Sequence, residues 1–155
     1  MKFEISPIGI IHTPFKEKSE CPVQTRAAGE TMGRVELLPE LAAGLKDIEL
    51  FTHIYLFYIF DRAGEVELLR HPFLDDEPHG IFATRHPCRP TPLGLSIVEL
   101  LERRDNMLTV KGIDVLDGTP LIDIKPYAPK FDEIRGASNG WLEGKDWRHK
   151  PEGRE

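Results

Sequence analysis

Little in this sequence points to a membrane or to an oxidising compartment. The longest apolar run, residues 54–60, is too short to cross a bilayer and contains two tyrosines. The first residues, MKFEISPIG, contain no apolar stretch of the kind found in signal peptides. Cys21 and Cys88, the two cysteines, form no CxxC motif, so neither a zinc site nor a disulfide framework is indicated. We therefore expect a cytoplasmic protein with reduced thiols and no membrane contact.

Two common binding patterns are also missing. No G-x-G-x-x-G follows a first predicted strand, which argues against a Rossmann fold. The six histidines show no spacing such as HxxxH, and no metal site is predicted. The formal net charge of −6 argues against broad, non-specific binding of nucleic acid, because phosphate neutralisation supplies most of that affinity. A local basic patch is compatible with this charge.

The sequence does contain a succession of short β-like segments. The length of 155 residues suits one domain. Segments bounded by Gly, Pro and Asp turns predict strands at residues 3–13, 32–38, 51–61, 66–73, 93–104, 107–118 and 120–127. Residues 39–45 have helical spacing with Pro39 in the first turn, and residues 16–32 form a long loop. This pattern is typical of an all-β barrel or sandwich.

The segment 93–104, LGLSIVELLERR, is ambiguous between strand and helix. Its apolar residues alternate as far as Ile97 and then lose the alternation from Val98 onwards. A helix would explain the later positions equally well. We predict a strand that ends at a turn formed by Asp105 and Asn106.

Residues 80–94, GIFATRHPCRPTPLG, form the most unusual segment. Two arginines, Arg85 and Arg89, lie four apart among three prolines and between two glycines. Proline fixes φ and removes a backbone donor, which excludes a helix or a central strand here. Such a stiff loop is organised in advance to hold a ligand with negative or planar polar groups. The alternative is a rigid surface loop whose arginines pair with carboxylates.

A second block, DGTPLIDIKPYAP at residues 117–129, follows some way along the chain. Together with residues 8–24, 50–62 and 93–100, the two blocks resemble the TsaA-like family. Its characterised members are tRNA methyltransferase O enzymes, which methylate N6 of threonylcarbamoyl-modified adenosine 37 in tRNA. The resemblance implies a single small β-barrel that is not a Rossmann fold, with residues 1–130 as the barrel domain and a homodimer as the assembly. We expect residues 131–155 to form a tail, which docks if Trp141 and Trp147 bury.

The resemblance further implies S-adenosylmethionine as the cofactor. This molecule needs carboxylate or carbonyl groups for its cationic parts, a donor for its carboxylate and apolar cover for its adenine. The implied cofactor-binding residues are Pro22, Val23, Gln24, Asp61, Arg62, Arg85, Arg89, Leu95, Gly112, Ile113 and Asp114. Two departures from the family pattern stand out: Thr91 replaces an asparagine of R-P-N-P, and Asp61-Arg62 replaces a more common His-Gln pair.

The resemblance also poses a chemical requirement. An N6 nitrogen that bears a carbonyl substituent is a poor nucleophile until its proton leaves, so a base is needed near the sulfonium. Asp117, Asp114 and Tyr127 are candidates, and we select Asp117 and Tyr127 as catalytic. Asp117 before Gly118 is also an ordinary turn pair, and Tyr127 also suits a core position. Alternatively, alignment of nitrogen, methyl and sulfur supplies most of the catalysis.

Two other functions fit the same sequence. Many bacterial members carry a further C-terminal domain that is not present here, and the net charge is acidic. These facts favour a module that binds S-adenosylmethionine without methylating RNA. The remaining alternative is a methyltransferase for a small metabolite.

Overall fold

The fold is a closed, six-stranded antiparallel barrel with strand order β1-β2-β7-β6-β3-β8. A computed structural model describes residues 1–23 and 25–147 of the chain. The barrel strands are β1 Gly9–His12, β2 Met32–Leu37, β3 His53–Ile59, β6 Leu93–Arg104, β7 Met107–Lys111 and β8 Thr119–Pro126. β4 Leu69–Arg70 and β5 His79–Gly80 form a separate two-stranded sheet. The predicted all-β barrel is confirmed.

The barrel has two ends with different loops. β1, β3 and β7 finish at one end, where β2, β6 and β8 begin. We call this the upper end; its loops are residues 13–31, 60–92 and 112–118. The lower end holds the 3-10 helices Pro39–Leu45 and Ile48–Leu50, the turn between β6 and β7, and the first residues after β8. The long connections therefore lie mainly at the upper end.

The core fills the barrel with alternate side chains of each strand. Fully buried members include Ile11, Val35, Leu56, Val110 and Leu121. β3 alternates between buried and half-buried residues, because its inner face points to the core and its outer face is only partly covered. The predicted strand at 51–61 is confirmed, and its apolar outer face is available for contacts beyond the barrel.

The ambiguous segment 93–104 is a strand over its whole length. The register of β6 against β7 shifts between Leu100 and Glu102, which marks a β-bulge. A bulge inserts an extra residue and reverses the facing of later side chains. This bulge explains why the alternation fails in the second half of the segment.

Three strand predictions were too long. The predicted strand at 107–118 ends at Lys111, because Gly112 has a φ of 86° and leaves the extended conformation. The predicted strand at 66–73 is reduced to Leu69–Arg70, which pairs with His79–Gly80 outside the barrel. The six other strands already close the ring, and Pro72 offers no N–H for further pairing. The predicted strand at 3–13 is reduced to Gly9–His12, with Pro7 just before it. Residues 39–45 are helical as predicted, in the 3-10 form.

Short helical turns account for the remaining regular structure. The loop after β1 contains the 3-10 turn Lys18–Glu20 and α1 Thr25–Ala28. After β8 follow α2 Pro129–Asp132 and the 3-10 turn Gly140–Leu142. No helix within residues 1–23 and 25–147 combines the length and apolarity that a membrane crossing requires.

Candidate functional site at the upper end of the barrel

The upper end gathers most of the predicted site residues. Its loops carry Pro22, Val23, Asp61, Arg62, Arg85, Arg89, Gly112, Ile113, Asp114 and Asp117. Leu95 lies near the upper end of β6, but its side chain points outwards and is 41% exposed. Gln24 lies outside the described residues. Tyr127 lies at the lower end, beyond the last residue of β8.

A chain of hydrogen bonds leads from the barrel interior to this end. The Tyr58 hydroxyl lies 2.9 Å from Ser96 Oγ, and Ser96 Oγ donates to Asp114 Oδ1 at 2.5 Å. Because the one hydroxyl proton of Ser96 is given to Asp114, Ser96 must accept from Tyr58. Burial, followed by the nearby Asp114 charge, raises the pKa of Tyr58, so its proton stays in place. These two hydrogen bonds therefore orient the Asp114 carboxylate from the side of the barrel interior.

Gly94 makes room for this arrangement. A Cβ atom at Gly94 would lie 2.1 Å from Cε2 of Tyr58 and 2.6 Å from Cζ. Only glycine lets the Tyr58 ring lie against β6 at this point.

Sequence reasoning missed Tyr58 and Ser96. Both lie at inward positions, in phase with Ile54, Leu56 and Val98 on their own strands. A polar side chain in phase with buried apolar neighbours was the available signal, since buried polar groups need a partner.

Two upper-end loops meet at Tyr58. The charge of Arg85 acts to lower the pKa of Tyr58, and Cys21 acts to raise it. Both residues therefore lie near enough to influence the Tyr58 hydroxyl. Cys21 directly precedes Pro22 and Val23, which are half-buried. The loop before Gln24 and the proline-arginine loop thus both come near the Tyr58–Ser96–Asp114 hydrogen bonds.

The two arginines of the proline-arginine loop differ in what they contact. The Arg89 guanidinium donates to the Thr84 carbonyl oxygen at 3.0 Å and lies 6.0 Å from the centroid of the Phe82 ring. These contacts hold the loop together from within. Arg85 is exposed, and its charge acts on the Tyr58 hydroxyl. Arg85 is therefore the better placed of the two to meet a ligand.

A second polar group surrounds Asp117. Its Oδ1 accepts from the Thr13 N–H at 3.0 Å, and Lys16 Nζ donates to its Oδ2. The bond from Lys16 lowers the pKa of Asp117, with help from the Thr13 N–H. Arg62 donates to the Asp117 carbonyl oxygen at 3.0 Å. A carboxylate with a lowered pKa is a weaker proton acceptor.

Asp117→Asn tests the ion pair through the pH dependence of stability. A carboxyl whose folded pKa lies below its unfolded value of 3.8 adds stability above that value and loses it as pH falls through the folded pKa. We expect the free energy of unfolding of the variant to be about 1 kcal/mol lower than that of the unmutated chain at pH 7. The difference should shrink below pH 4 and vanish in stronger acid, as measured by urea unfolding.

Asp123→Asn provides the matched control for this measurement. Asp123 pairs with Lys125 on the barrel exterior, and its side chain is 47% exposed. Exposed pairs contribute little, so we expect a change under about 0.5 kcal/mol. A deficit of Asp117→Asn that is unchanged at pH 2 would show that the ion pair is not its source.

Tyr127 is not brought together with Asp117. The two residues flank β8, whose length separates them by roughly 25 Å at 3.3 Å per residue. The Tyr127 ring packs edge-on against Tyr55, with ring centroids 5.6 Å apart, and its N–H donates to the His53 carbonyl oxygen at 3.0 Å. Its catalytic role stays a prediction, and it requires more than the upper end of one barrel.

Ile113 and Gly112 can offer a ligand mainly their backbone. The Ile113 side chain is fully buried and lies where a Cβ at Gly33 would meet it, 2.8 Å away. Gly112 is buried with φ at 86°, a conformation that favours glycine. Their predicted contribution to cofactor binding therefore falls on N–H and C=O groups.

A cleft of about 410 Å³ opens beside the Asp117 group. It is lined by Lys16, Glu17, Lys18, Ser19, Arg62 and Leu116. Within the described chain, no group of three or more His, Cys, Asp or Glu side chains is placed to hold a metal ion.

The chain is thus a small, closed β-barrel domain whose candidate polar residues lie mostly at one end. A family model described as the tRNA-methyltransferase O N-terminal domain matches residues 10–133, and the chain belongs to this family. The resemblance drawn from the sequence motifs is confirmed.

Relatives in three organisms support the assignment. A probable S-adenosyl-L-methionine-binding protein of Pyrococcus abyssi is 54% identical over 137 residues, which are 88% of this chain and 74% of that protein. The tRNA (adenine(37)-N6)-methyltransferase of Escherichia coli is 33% identical over 151 residues, covering 91% of this chain and 64% of that enzyme. The crystal structure of TrmO from Pseudomonas aeruginosa matches with a TM-score of 0.77 at 37% identity, over 91% of this chain and 63% of that chain. The chain thus spans less than two thirds of the latter two proteins.

Proposed function

We propose that this chain is an S-adenosylmethionine-dependent methyltransferase that acts on N6 of threonylcarbamoyl-modified adenosine 37 in tRNA. Membership of the tRNA methyltransferase O family supports methyl transfer, and the Escherichia coli relative is named for the adenosine 37 reaction. The observation that carries the proposal is the convergence of Arg85, Cys21 and Asp114 on the Tyr58–Ser96 chain. A tRNA substrate also agrees with the cytoplasmic location expected from the sequence.

The upper end offers the groups that the cofactor needs. Asp114 supplies a negative charge for the ammonium and sulfonium groups, and Arg85 supplies a donor for the carboxylate. Pro22 and Val23 offer half-buried apolar surface for the adenine, and the backbone of Gly112 and Ile113 offers hydrogen bonds. Each of these residues lies on a loop that the rigid barrel holds in place.

Proton removal is the part of the proposed reaction for which the described residues offer the weakest candidate. When bound, S-adenosylmethionine would supply the methyl group, and the N6 proton that the methyl group replaces would pass to a base. Asp117 remains the predicted acceptor, but its ion pair with Lys16 weakens it as a base. This weakness favours alignment of the three reacting atoms as the larger contribution to the rate.

The cleft beside Asp117 is the proposed entry point for the RNA. Lys16, Lys18 and Arg62 line it with one acidic residue, Glu17. Phosphate contacts position a nucleic acid without reading its sequence. A local group of basic side chains is compatible with an RNA substrate even though the net charge of the chain is −6.

Methyl transfer can be tested directly with radiolabelled S-adenosylmethionine. The purified chain is incubated with tRNA that carries the threonylcarbamoyl group, with the same tRNA lacking it, and with a small-molecule extract. We expect label in adenosine 37 of the modified tRNA alone. Label in the extract would favour a metabolite methyltransferase. Cofactor binding without any labelled product would favour a binding module, a role that matches the name of the Pyrococcus abyssi relative.

Arg85→Ala should weaken cofactor binding by about tenfold, because a charged hydrogen bond to the carboxylate is lost. Arg104→Ala is the control, since Arg104 lies at the lower end and its side chain is 78% exposed. Titration calorimetry measures both. Equal affinities of the two variants for S-adenosylmethionine would remove Arg85 from the cofactor site.

We further propose that the chain forms a homodimer through the outer face of β3 and β6. This face presents Leu93, Leu95 and Ile97, each more than a third exposed, beside the half-buried Phe57 and Tyr55. Contiguous apolar surface of this kind marks an interaction site. Tyr127 packs against Tyr55 at the border of this face. A contribution of Tyr127 to the upper-end site would have to come from the second copy.

Leu95→Asp should convert the dimer to a monomer, because it buries a charge without a partner at the centre of the apolar face. Ile10→Asp is the control: Ile10 is 45% exposed on β1, which lies across the ring from β6. Light scattering at micromolar concentration reports the mass of each variant. A Leu95→Asp protein with the mass of the unmutated chain would place the interface elsewhere.

A further inference from the structure

The tail beyond the family match folds back onto the upper-end loop. The family model ends at residue 133. Trp141 Nε1–H donates to the carbonyl oxygen of Ala83 at 2.8 Å. The Trp141 ring stacks on the His79 ring, with centroids 4.4 Å apart and planes inclined by 16°.

A second contact links the tail to the same loop. Lys145 Nζ lies 3.4 Å from Asp75 Oδ1, while His79 Nε2 lies 3.1 Å from Asp75 Oδ2. The bond with His79, together with Lys145 and the Glu77 N–H, lowers the pKa of Asp75 to about 2, so its carboxylate is charged at neutral pH. Asp75 and His79 are both largely buried, with 18% and 20% of their side chains exposed. The tail therefore contacts the loop at three residues, Asp75, His79 and Ala83.

The tail segment that makes these contacts is held by its own local hydrogen bonds. The 3-10 turn Gly140–Leu142 is followed by a bond from the Lys145 N–H to the Leu142 carbonyl oxygen at 3.1 Å. Asn139 Nδ2 donates to Glu143 Oε2 at 3.0 Å. Gly140 and Gly144 have φ angles of 59° and 73°, which suit glycine. We call residues 139–145 the tail strap.

The strap acts close to Arg85. Ala83 ends the 3-10 turn Ile81–Ala83, and the Thr84 N–H donates to the Ile81 carbonyl oxygen at 3.1 Å. Arg89 then donates to the Thr84 carbonyl oxygen, so the stretch from Ile81 to Arg89 holds together as one unit. Ile81 is buried and its N–H donates to the Leu68 carbonyl oxygen at 2.9 Å, whereas the Phe82 side chain is 77% exposed on the outer side of the turn. Trp141 is thus the outer support of the unit that carries Arg85.

We propose that Trp141 is a positioning residue for the cofactor site. Through Ala83 and His79, the tail strap fixes the proline-arginine loop so that Arg85 is held at the barrel end that carries Asp114. This inference rests on the proposed function, because Arg85 is assigned there to the carboxylate of S-adenosylmethionine. It adds a part of the chain outside the matched family domain to the site.

Trp141→Ala in the full chain tests the inference by two independent measurements. Hydrogen exchange should become faster for the amides of residues 81–89 and stay unchanged in β2 and β7. The Kd for S-adenosylmethionine should rise about tenfold, as expected for the loss of one hydrogen bond and one stacked ring. Trp141→Phe keeps a ring on His79 but lacks the N–H donor. Its Kd should lie between those of the unmutated chain and Trp141→Ala. Phe131→Ala is the control, since Phe131 is 83% exposed in the same tail.

A double-mutant cycle separates positioning from general stability. If the strap acts through Arg85, adding Trp141→Ala to Arg85→Ala should change the Kd by less than twofold. A full tenfold loss in that background would overturn a role through Arg85. Unchanged exchange in residues 81–89, or unchanged affinity in Trp141→Ala, would overturn the strap itself. An unmutated chain that does not bind the cofactor would overturn the proposed function, and exchange would still report whether the strap holds the loop.

Discussion

Replacing Asp114 by asparagine is expected to lower the affinity for S-adenosylmethionine by about 100-fold, because a cationic ligand loses its charged partner in a partly buried site. The substitution keeps the shape of the side chain. The amide oxygen can still accept from Ser96, so the bond from Tyr58 to Ser96 is retained. The folded state should therefore survive, and calorimetric titration would measure the affinity.

Asp105→Asn is the matched control for this experiment. Asp105 lies in the turn at the lower end, with φ at 51°, a conformation that asparagine tolerates. We expect unchanged affinity in this variant. If Asp114→Asn also binds the cofactor like the unmutated chain, the cofactor does not lie against the Tyr58–Ser96–Asp114 chain.

Gly94→Ala should destabilise the barrel strongly. The new carbon would overlap three atoms of the Tyr58 ring, all within 2.6 Å. The ring cannot move aside freely, because it is buried and its hydroxyl is bonded to Ser96. Overpacking of this kind costs about 3 kcal/mol. Urea unfolding should show this loss, and cofactor binding should fall with it as Tyr58 leaves its position.

Two further variants make the Gly94 result interpretable. Gly44→Ala adds the same methyl group at the lower end, where nothing lies within 4 Å of the new carbon, and should change stability by less than about 1 kcal/mol. The double variant Gly94→Ala with Tyr58→Leu removes the ring that clashes. It should recover part of the stability but none of the affinity. A Gly94→Ala protein as stable as the unmutated chain would contradict the position of the Tyr58 ring.

Most barrel strands could be predicted because each carries its own local pattern. β2 and β7 alternate strictly, and Gly and Asp mark the turns next to them. β6 was harder, since the bulge at Leu100–Glu102 disrupts the alternation and depends on the partner strand. The segment 66–73 failed for a related reason. Its residues suit a strand, but a strand needs a free neighbour, and the ring of six offers none.

The loops of the candidate site could be singled out from the sequence, and their role in binding stays a prediction. The proline-arginine loop could be recognised by its unusual composition. It lies at the same end of the barrel as Asp114. Tyr58 and Ser96 were missed because β3 and the first half of β6 carry apolar residues on both faces, so the sequence alone does not mark the inward side. Tyr127 was grouped with Asp117 because both belong to one sequence block. An extended strand carries the two ends of such a block far apart.

The pairing of β1 with β8 has a consequence for how the chain folds. Gly9 pairs with Leu121, so the barrel closes only when segments from opposite ends of the domain meet. Contacts so distant in sequence form late and slowly, since the entropy of closing the loop must be met first. The Thr13–Asp117 bond lies beside this seam, because Thr13 follows β1 and Asp117 precedes β8. A ligand at the upper end therefore recognises the finished barrel, and it should lengthen the lifetime of the native state more than it speeds its formation.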